Sequence, residues 1–264
     1  MILNNQNIFS ENMSKKVRVL LAGEGDLATL TYQIGWQVSS ANYLLHEDNL
    51  ANALQSDPEI DITRVWGPTI IDEFPNSMKQ LEKYDALVLG DVGSDTLRLT
   101  PEVMGGHRAI DRLKLIQEFV RKGGGFMMCG GYASFGGFRN TGRYHETPVE
   151  EILPVYIKDG DDRVEIVDGF HLKITNRTHP VMANIEWNET EFFLLGYNRI
   201  KAKPGARVLA KYGKDPIIVA WEYAKGRSLA FASDCEPHWA GSFINWSGYR
   251  KFVIQTIRWL AKKQ

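Results

Sequence analysis

The sequence is short of cysteine, of net charge and of long apolar runs, and each shortage closes off a class of protein. Two cysteines in 264 residues, Cys129 and Cys235, are too few for a disulfide scaffold. The expected compartment is therefore the reducing cytoplasm. Lys and Arg number 31 against 32 Asp and Glu, a formal net charge of -1. No overall field draws such a chain to nucleic acid or to anionic lipid. No apolar stretch approaches the ~20 residues that cross a bilayer, so no membrane span is expected. The first sixteen residues are polar and Asn-rich without an apolar h-region, which does not read as a signal peptide. Residues 1–15 are expected to be a flexible extension. Met13, directly before the first strand, is a second candidate start beside Met1.

What is present suits a sizeable core: 44% of residues are hydrophobic and 24% charged. The first half alternates strands and helices. Val17–Ala22, Tyr84–Gly90 and Phe126–Cys129 are nearly continuous apolar runs, as in strands buried on both faces. Ile60–Trp66 is a further strand, closed by Gly67-Pro68. Between them the pattern predicts helices over Glu47–Gln55, Ser77–Lys83 and His107–Lys122. In the last, Ile110, Leu113, Ile116, Phe119 and Val120 share one face. Strands and helices in this rhythm imply parallel strands with right-handed crossovers, hence a doubly wound α/β sheet. The second half holds six more strand-like runs between Arg163 and Ser233, expected as antiparallel or mixed additions. Tyr249–Lys262 reads as a closing amphipathic helix. Residues 16–264 are expected to form a single domain.

Ligands in doubly wound sheets sit beyond the carboxyl ends of the strands. Four segments fall there. Cys129-Gly130-Gly131 has the layout of a nucleophile elbow: strand, nucleophile, then small residues that permit a tight turn. The plainer reading is a buried thiol at a strand end. Ser233–Trp239 gathers Asp234, Cys235, Glu236 and His238 around a proline. His238 is a candidate base for Cys129, with Asp234 or Glu236 orienting its imidazole. The alternative is that Asp234 caps a turn while His238 and Trp239 form a packed wall. A metal held by Asp234, Cys235 and His238 lacks any supporting ligand motif. Gly23–Ala28 fits G-x-G-x-x-A, but the next expected strand lies too far on and carries no terminal acid, so no nucleotide or other cofactor is expected. The Gly90–Ser94 loop is a candidate second oxyanion donor through Gly93, or else a plain turn.

Several segments jointly resemble a known family. They are Gly23-Glu24, Asp91–Leu97, Arg112–Ile116, Gly130–Phe135, Thr147–Pro154, Leu195–Arg199 and Ser233–Trp239. This set is similar to the class I glutamine amidotransferase-like family of bacterial cytoplasmic proteins, over nearly the whole chain from Val17 onward. The resemblance implies a flavodoxin-like fold, as in class I amidotransferases and the sugar-linked ThuA-like proteins. It also implies a Cys-dependent amide hydrolase acting on a small substrate. Cys129 would be the nucleophile, His238 the base, Asp234 or Glu236 the orienter, and Gly93, Gly130 and Gly131 the oxyanion site, with Tyr132 and Trp239 binding substrate. Class I amidotransferases carry a His-Pro-Glu segment; here the order is Glu236-Pro237-His238. The other reading of the same pocket is a non-catalytic module for a small polar or sugar-like ligand. A homodimer is expected on base rates.

Overall fold

The computed structural model describes residues 16–23, 25–34, 36–45 and 48–263. The chain runs through β1 (Val17–Gly23), a hairpin of β2 (Asp26–Ile34) and β3 (Gln37–Leu45), α1 (Asn49–Gln55), β4 (Ile60–Val65), α2 (Ile70–Glu73) and α3 (Met78–Leu81). Then come β5 (Ala86–Gly90), α4 (Ser94–Arg98), α5 (Pro101–Met104), α6 (Arg112–Lys122), β6 (Gly125–Cys129) and α7 (Pro148–Ile152). The second half adds β7 (Val155–Tyr156), β8 (Arg163–Phe170), β9 (Lys173–Ile174), β10 (Leu194–Asn198), β11 (Lys201–Ala202), β12 (Arg207–Tyr212), β13 (Asp215–Tyr223) and β14 (Gly226–Phe231), and ends in α8 (Tyr249–Leu260).

Among the described residues the main sheet has eight strands in the order β4-β1-β5-β6-β14-β13-β12-β9. The first five are mutually parallel. Counted along the chain among themselves they run 2-1-3-4-5, the flavodoxin-like order. β13, β12 and β9 extend the sheet beyond β14, each strand antiparallel to its neighbour. β8 and β10 form a separate antiparallel pair. Every residue of β5 and β6 is buried, as is all of β1 except Arg18. That is why these strands read as unbroken apolar runs: a strand covered on both faces has no polar side. α1 packs with α8, while α6 gathers α3, α4 and α7.

One expectation needs correction here. The long helix begins at Arg112, not His107, and Ile110 is 52% exposed instead of lining the buried face. The cause is Asp111, whose carboxylate accepts from the amides of Leu113 and Lys114 at 3.0 and 3.4 Å and so sets the first turn. Leu113, Ile116, Phe119 and Val120 are buried as expected. Asp111→Ala should cost about 1 kcal/mol in urea unfolding, since two first-turn amides lose their acceptor; a change near zero would show that packing alone fixes this start.

The Gly23–Ala28 segment, where no nucleotide was expected, leads into a hairpin. Glu24 lies outside the described residues, but from Asp26 the chain enters β2, which pairs with β3 through nine residue pairs. A dinucleotide fingerprint needs a helix there, its N-terminus facing the pyrophosphate. A hairpin supplies none. Trp36, at the hairpin turn, is fully exposed. Glu47, expected to open the first helix, also lies outside the described residues; α1 starts at Asn49.

Candidate functional site

The register of the parallel strands brings the suspect loops together. Gly90 pairs with Cys129, and Cys129 with Phe231. The segments following β5, β6 and β14 therefore share one rim of the sheet. What they do there differs from segment to segment.

Cys129 is fully buried, and its Sγ lies 3.3 Å from Sγ of Cys235, which is also fully buried. It ends β6 in regular pairing, and no left-handed backbone marks it as an elbow. Asp91, directly after β5, is left-handed instead, with φ +48°. Its carboxylate accepts from the Ala133 amide at 2.5 Å, and its own amide donates to Ser134 Oγ at 3.1 Å. The Gly130 and Gly131 amides, expected at an oxyanion site, have partners of their own. The Gly130 N–H donates to the carbonyls of Phe231 and Ser233 at 2.8 and 2.7 Å. The Gly131 N–H donates to Asn198 Oδ1 at 3.0 Å. Both amides hold the loop to the sheet, and a donor so engaged is not aimed at a reacting oxygen. Gly93 precedes α4, so close to the Thr141 carbonyl that a Cβ would meet it at 2.6 Å.

Glu236 does not orient His238. Its fully buried carboxylate accepts from the Asn49 and Leu50 amides at 3.0 and 2.8 Å and from Asn49 Nδ2 at 2.8 Å. It thus caps α1 from 187 residues away in the chain. Burial pushes its pKa up, and the three donors pull it back. Asp234 is also buried, and its Oδ1 accepts from the Glu236 amide at 3.1 Å, an Asx turn.

His238 lies elsewhere, half exposed and with φ +81°, an unusual conformation for a residue with a Cβ. Its Nε2 is 3.8 Å from Oε2 of Glu165 on β8. Glu165 is the residue that sequence reasoning missed. It accepts from the Tyr132 hydroxyl at 3.0 Å and from Trp239 Nε1 at 2.9 Å. The Tyr132 ring meets His238 edge-on at 5.1 Å and Trp239 at 5.7 Å between centroids. The Arg163 guanidinium lies over the rings of Phe138 and Tyr132, 4.1 and 4.9 Å from their centroids. Burial and the neighbouring Glu165 carboxylate raise the Tyr132 phenol above its ordinary pKa. The result is a partly exposed cluster of the Glu165 carboxylate, the Arg163 guanidinium (paired with Asp161 at 2.9 Å), the His238 imidazole and aromatic rings. Burial elsewhere in the chain gives no clue to it: in the sequence Glu165 is one polar residue of an alternating strand.

Two devices hold this cluster. Trp239 is fully buried, and its indole lies against Gly196, where a Cβ would meet Nε1 at 2.3 Å. The β8–β10 register slips between Leu194 and Gly196, and there the Leu195 amide turns to donate to the Trp239 carbonyl at 2.8 Å. The loop carrying Tyr132 and Phe138 is fixed by buried Asp162. Its carboxylate accepts from the Gly136 and Gly137 amides at 2.9 and 2.8 Å and from Asn198 Nδ2 at 2.8 Å.

Among the described residues, no group of three or more His, Cys, Asp or Glu side chains is placed to hold a metal ion. No described helix is long and apolar enough to cross a membrane.

Comparison with known proteins fits this architecture. Two solved cytoplasmic proteins of Salmonella typhimurium are similar throughout. STM3548 is 32% identical at a TM-score of 0.85, with 92% of this chain and 98% of that one covered. STM1381 is 33% identical at 0.84, covering 92% and 99%. A ThuA-like protein from Parabacteroides merdae ATCC 43184 shares the fold at 16% identity and a TM-score of 0.51, covering 94% of this chain and 91% of that one. No curated protein matches the chain. The family model GATase1_like, "Putative glutamine amidotransferase", matches residues 18–262, and with nearly the whole chain inside it the protein belongs to the GATase1-like family.

Proposed function

We propose that this chain is a ligand-binding member of its family, cytoplasmic like its two Salmonella relatives, and that its ligand is a small polyhydroxylated, sugar-like molecule received at the Tyr132–Glu165–His238 cluster. The observation that carries the reading is Glu165. Its carboxylate is shared between Tyr132 and Trp239 and sits beside the half-exposed His238 ring. Adjacent hydroxyls of a sugar suit such a group, since each can donate to a carboxylate and accept from an imidazole or guanidinium. The partly exposed ring of Tyr132 offers the apolar surface that a sugar face covers.

A Cys-dependent amide hydrolase has less support. The Cys129 thiol is sealed beside Cys235, and the His238 ring keeps company with Glu165, Tyr132 and Trp239. Nucleophilic catalysis needs thiol and base within hydrogen-bond reach, or nearly so in a ligand-free state.

The test is a thermal-shift and ligand-observed NMR screen of neutral mono- and disaccharides at millimolar concentration. At least one sugar should raise the melting temperature of the wild type and of Cys129→Ala alike. Glu165→Gln and His238→Ala should lose that shift while keeping their ligand-free melting temperatures within a few degrees. If no sugar binds the wild type, or if Cys129-dependent ammonia release from glutamine is measured, the binding reading fails.

A further inference from the structure

The thiol pair at the carboxyl end of β6 has no part in that reading. Cys129 and Cys235 come from positions 106 residues apart, yet their sulfurs are 3.3 Å from each other. The backbone around them is tied on both sides. Gly130, next to Cys129, donates to the carbonyls of Phe231 and Ser233, so the strand leading to Cys235 cannot drift from β6. On the far side, the Tyr249 hydroxyl donates to the Cys235 carbonyl at 2.6 Å and fixes that residue to the start of α8. A disulfide bond is about 2.05 Å long, so the sulfurs need to close by little more than 1 Å.

We propose that Cys129 and Cys235 form a reversible intramolecular dithiol–disulfide site, oxidised by hydrogen peroxide. One thiolate attacks a peroxide oxygen, the O–O bond breaks, and water leaves after protonation, giving a sulfenic acid. The second thiolate attacks that sulfur, the S–S bond forms, and a second water leaves. Two thiols and one hydrogen peroxide thus become one disulfide and two waters. The resolving thiol is already in contact, so the sulfenic acid is captured before a second peroxide carries it to the sulfinic state. Both sulfurs are sealed from solvent, so oxidation runs through local opening and is slower than at an exposed thiol. The bond formed joins the end of β6 to the segment that bears His238 and Trp239.

The test uses the full chain, reduced and freed of reductant, then treated with hydrogen peroxide in native buffer. The protein is next denatured, alkylated with N-ethylmaleimide and weighed by mass spectrometry. The expected product is a monomer without adducts, about 2 Da lighter than the reduced chain, that regains both alkylation sites after dithiothreitol. Cys129→Ser and Cys235→Ser should each block the loss of mass. Two cysteines still alkylated after prolonged peroxide, sulfinic or sulfonic products in the wild type, or links between chains would each overturn the proposal. None of these readouts depends on ligand binding at the rim.

Discussion

Asp162→Ala should lower the unfolding free energy by about 3 kcal/mol and the melting temperature by about 5–10 °C. The reasoning starts from what the carboxylate holds. It is buried and accepts from two consecutive backbone amides, Gly136 and Gly137, and from Asn198 Nδ2. The Asn198 amide keeps weaker alternatives in the carbonyls of Gly131 and Ser134. The two glycine amides lose their side-chain acceptor, and each stranded buried donor costs about 1–3 kcal/mol. Asp162→Asn keeps the volume and one acceptor oxygen but turns an NH2 group toward a donor, so about half the loss is expected. Burial is the largest influence on this carboxyl and raises its pKa. The sign follows: a carboxyl whose folded pKa lies above its unfolded value makes the fold relatively more stable as pH falls through the folded value. Asp162→Ala should therefore be less damaging near pH 7 than the bond count alone suggests, and more damaging in mild acid, where the wild type gains. Urea unfolding of both variants at pH 7 and pH 5 checks this; an alanine variant within 1 kcal/mol of wild type at both would refute the assigned role.

His179 should make the protein lose about 3 kcal/mol of stability between pH 6.5 and pH 4. The ring is buried, lies 5.0 Å from Trp259 between centroids, and has its pKa pushed down to about 4, first by burial and then by Arg207 and Arg227. Its Nδ1 accepts from the Val181 amide at 3.3 Å, a role open only to the neutral ring. With a folded pKa below the unfolded value near 6.5, the contribution is fully present above pH 6.5 and is lost progressively as pH falls toward 4. His179→Gln removes the titration while offering an oxygen to the same amide. Denaturation midpoints from pH 7.5 to 4.5 should fall steeply for the wild type and much less for the variant. Parallel curves would assign the acid sensitivity to other groups.

Much of the scaffold was legible because burial on both faces leaves an unmistakable mark. VRVLLA, ALVLG and GFMMC are strands in which no polar residue interrupts the apolar run except Arg18, and Arg18 reaches out to Asp85 in an ion pair at 2.9 Å. The β2–β3 hairpin escaped the reading although its two halves flank Gly35-Trp36; no element was assigned between Ala28 and Glu47. His107–Ile110 matched a helical stripe, but periodicity says nothing about which acid caps the first turn. The candidate site was less legible for a stronger reason. Which ionisable side chains meet is set by segments far apart in the chain. Glu236 sits two residues from His238 and serves α1, whereas Glu165, more than seventy residues away, serves His238 and Trp239. Sequence proximity pointed to Asp234 or Glu236, while no local pattern distinguishes Glu165 from an ordinary solvent-facing strand residue.

Gly196 shows how a rim can be governed by an atom that is missing. The indole of Trp239 occupies the space where any other residue would carry its Cβ. An alanine at 196 would evict the indole, break its bond to Glu165 and leave that carboxylate with fewer claims on its oxygens. Redesign of this rim therefore has a lever on β10 that lies away from its exposed side chains, and a survey confined to those side chains would pass it by.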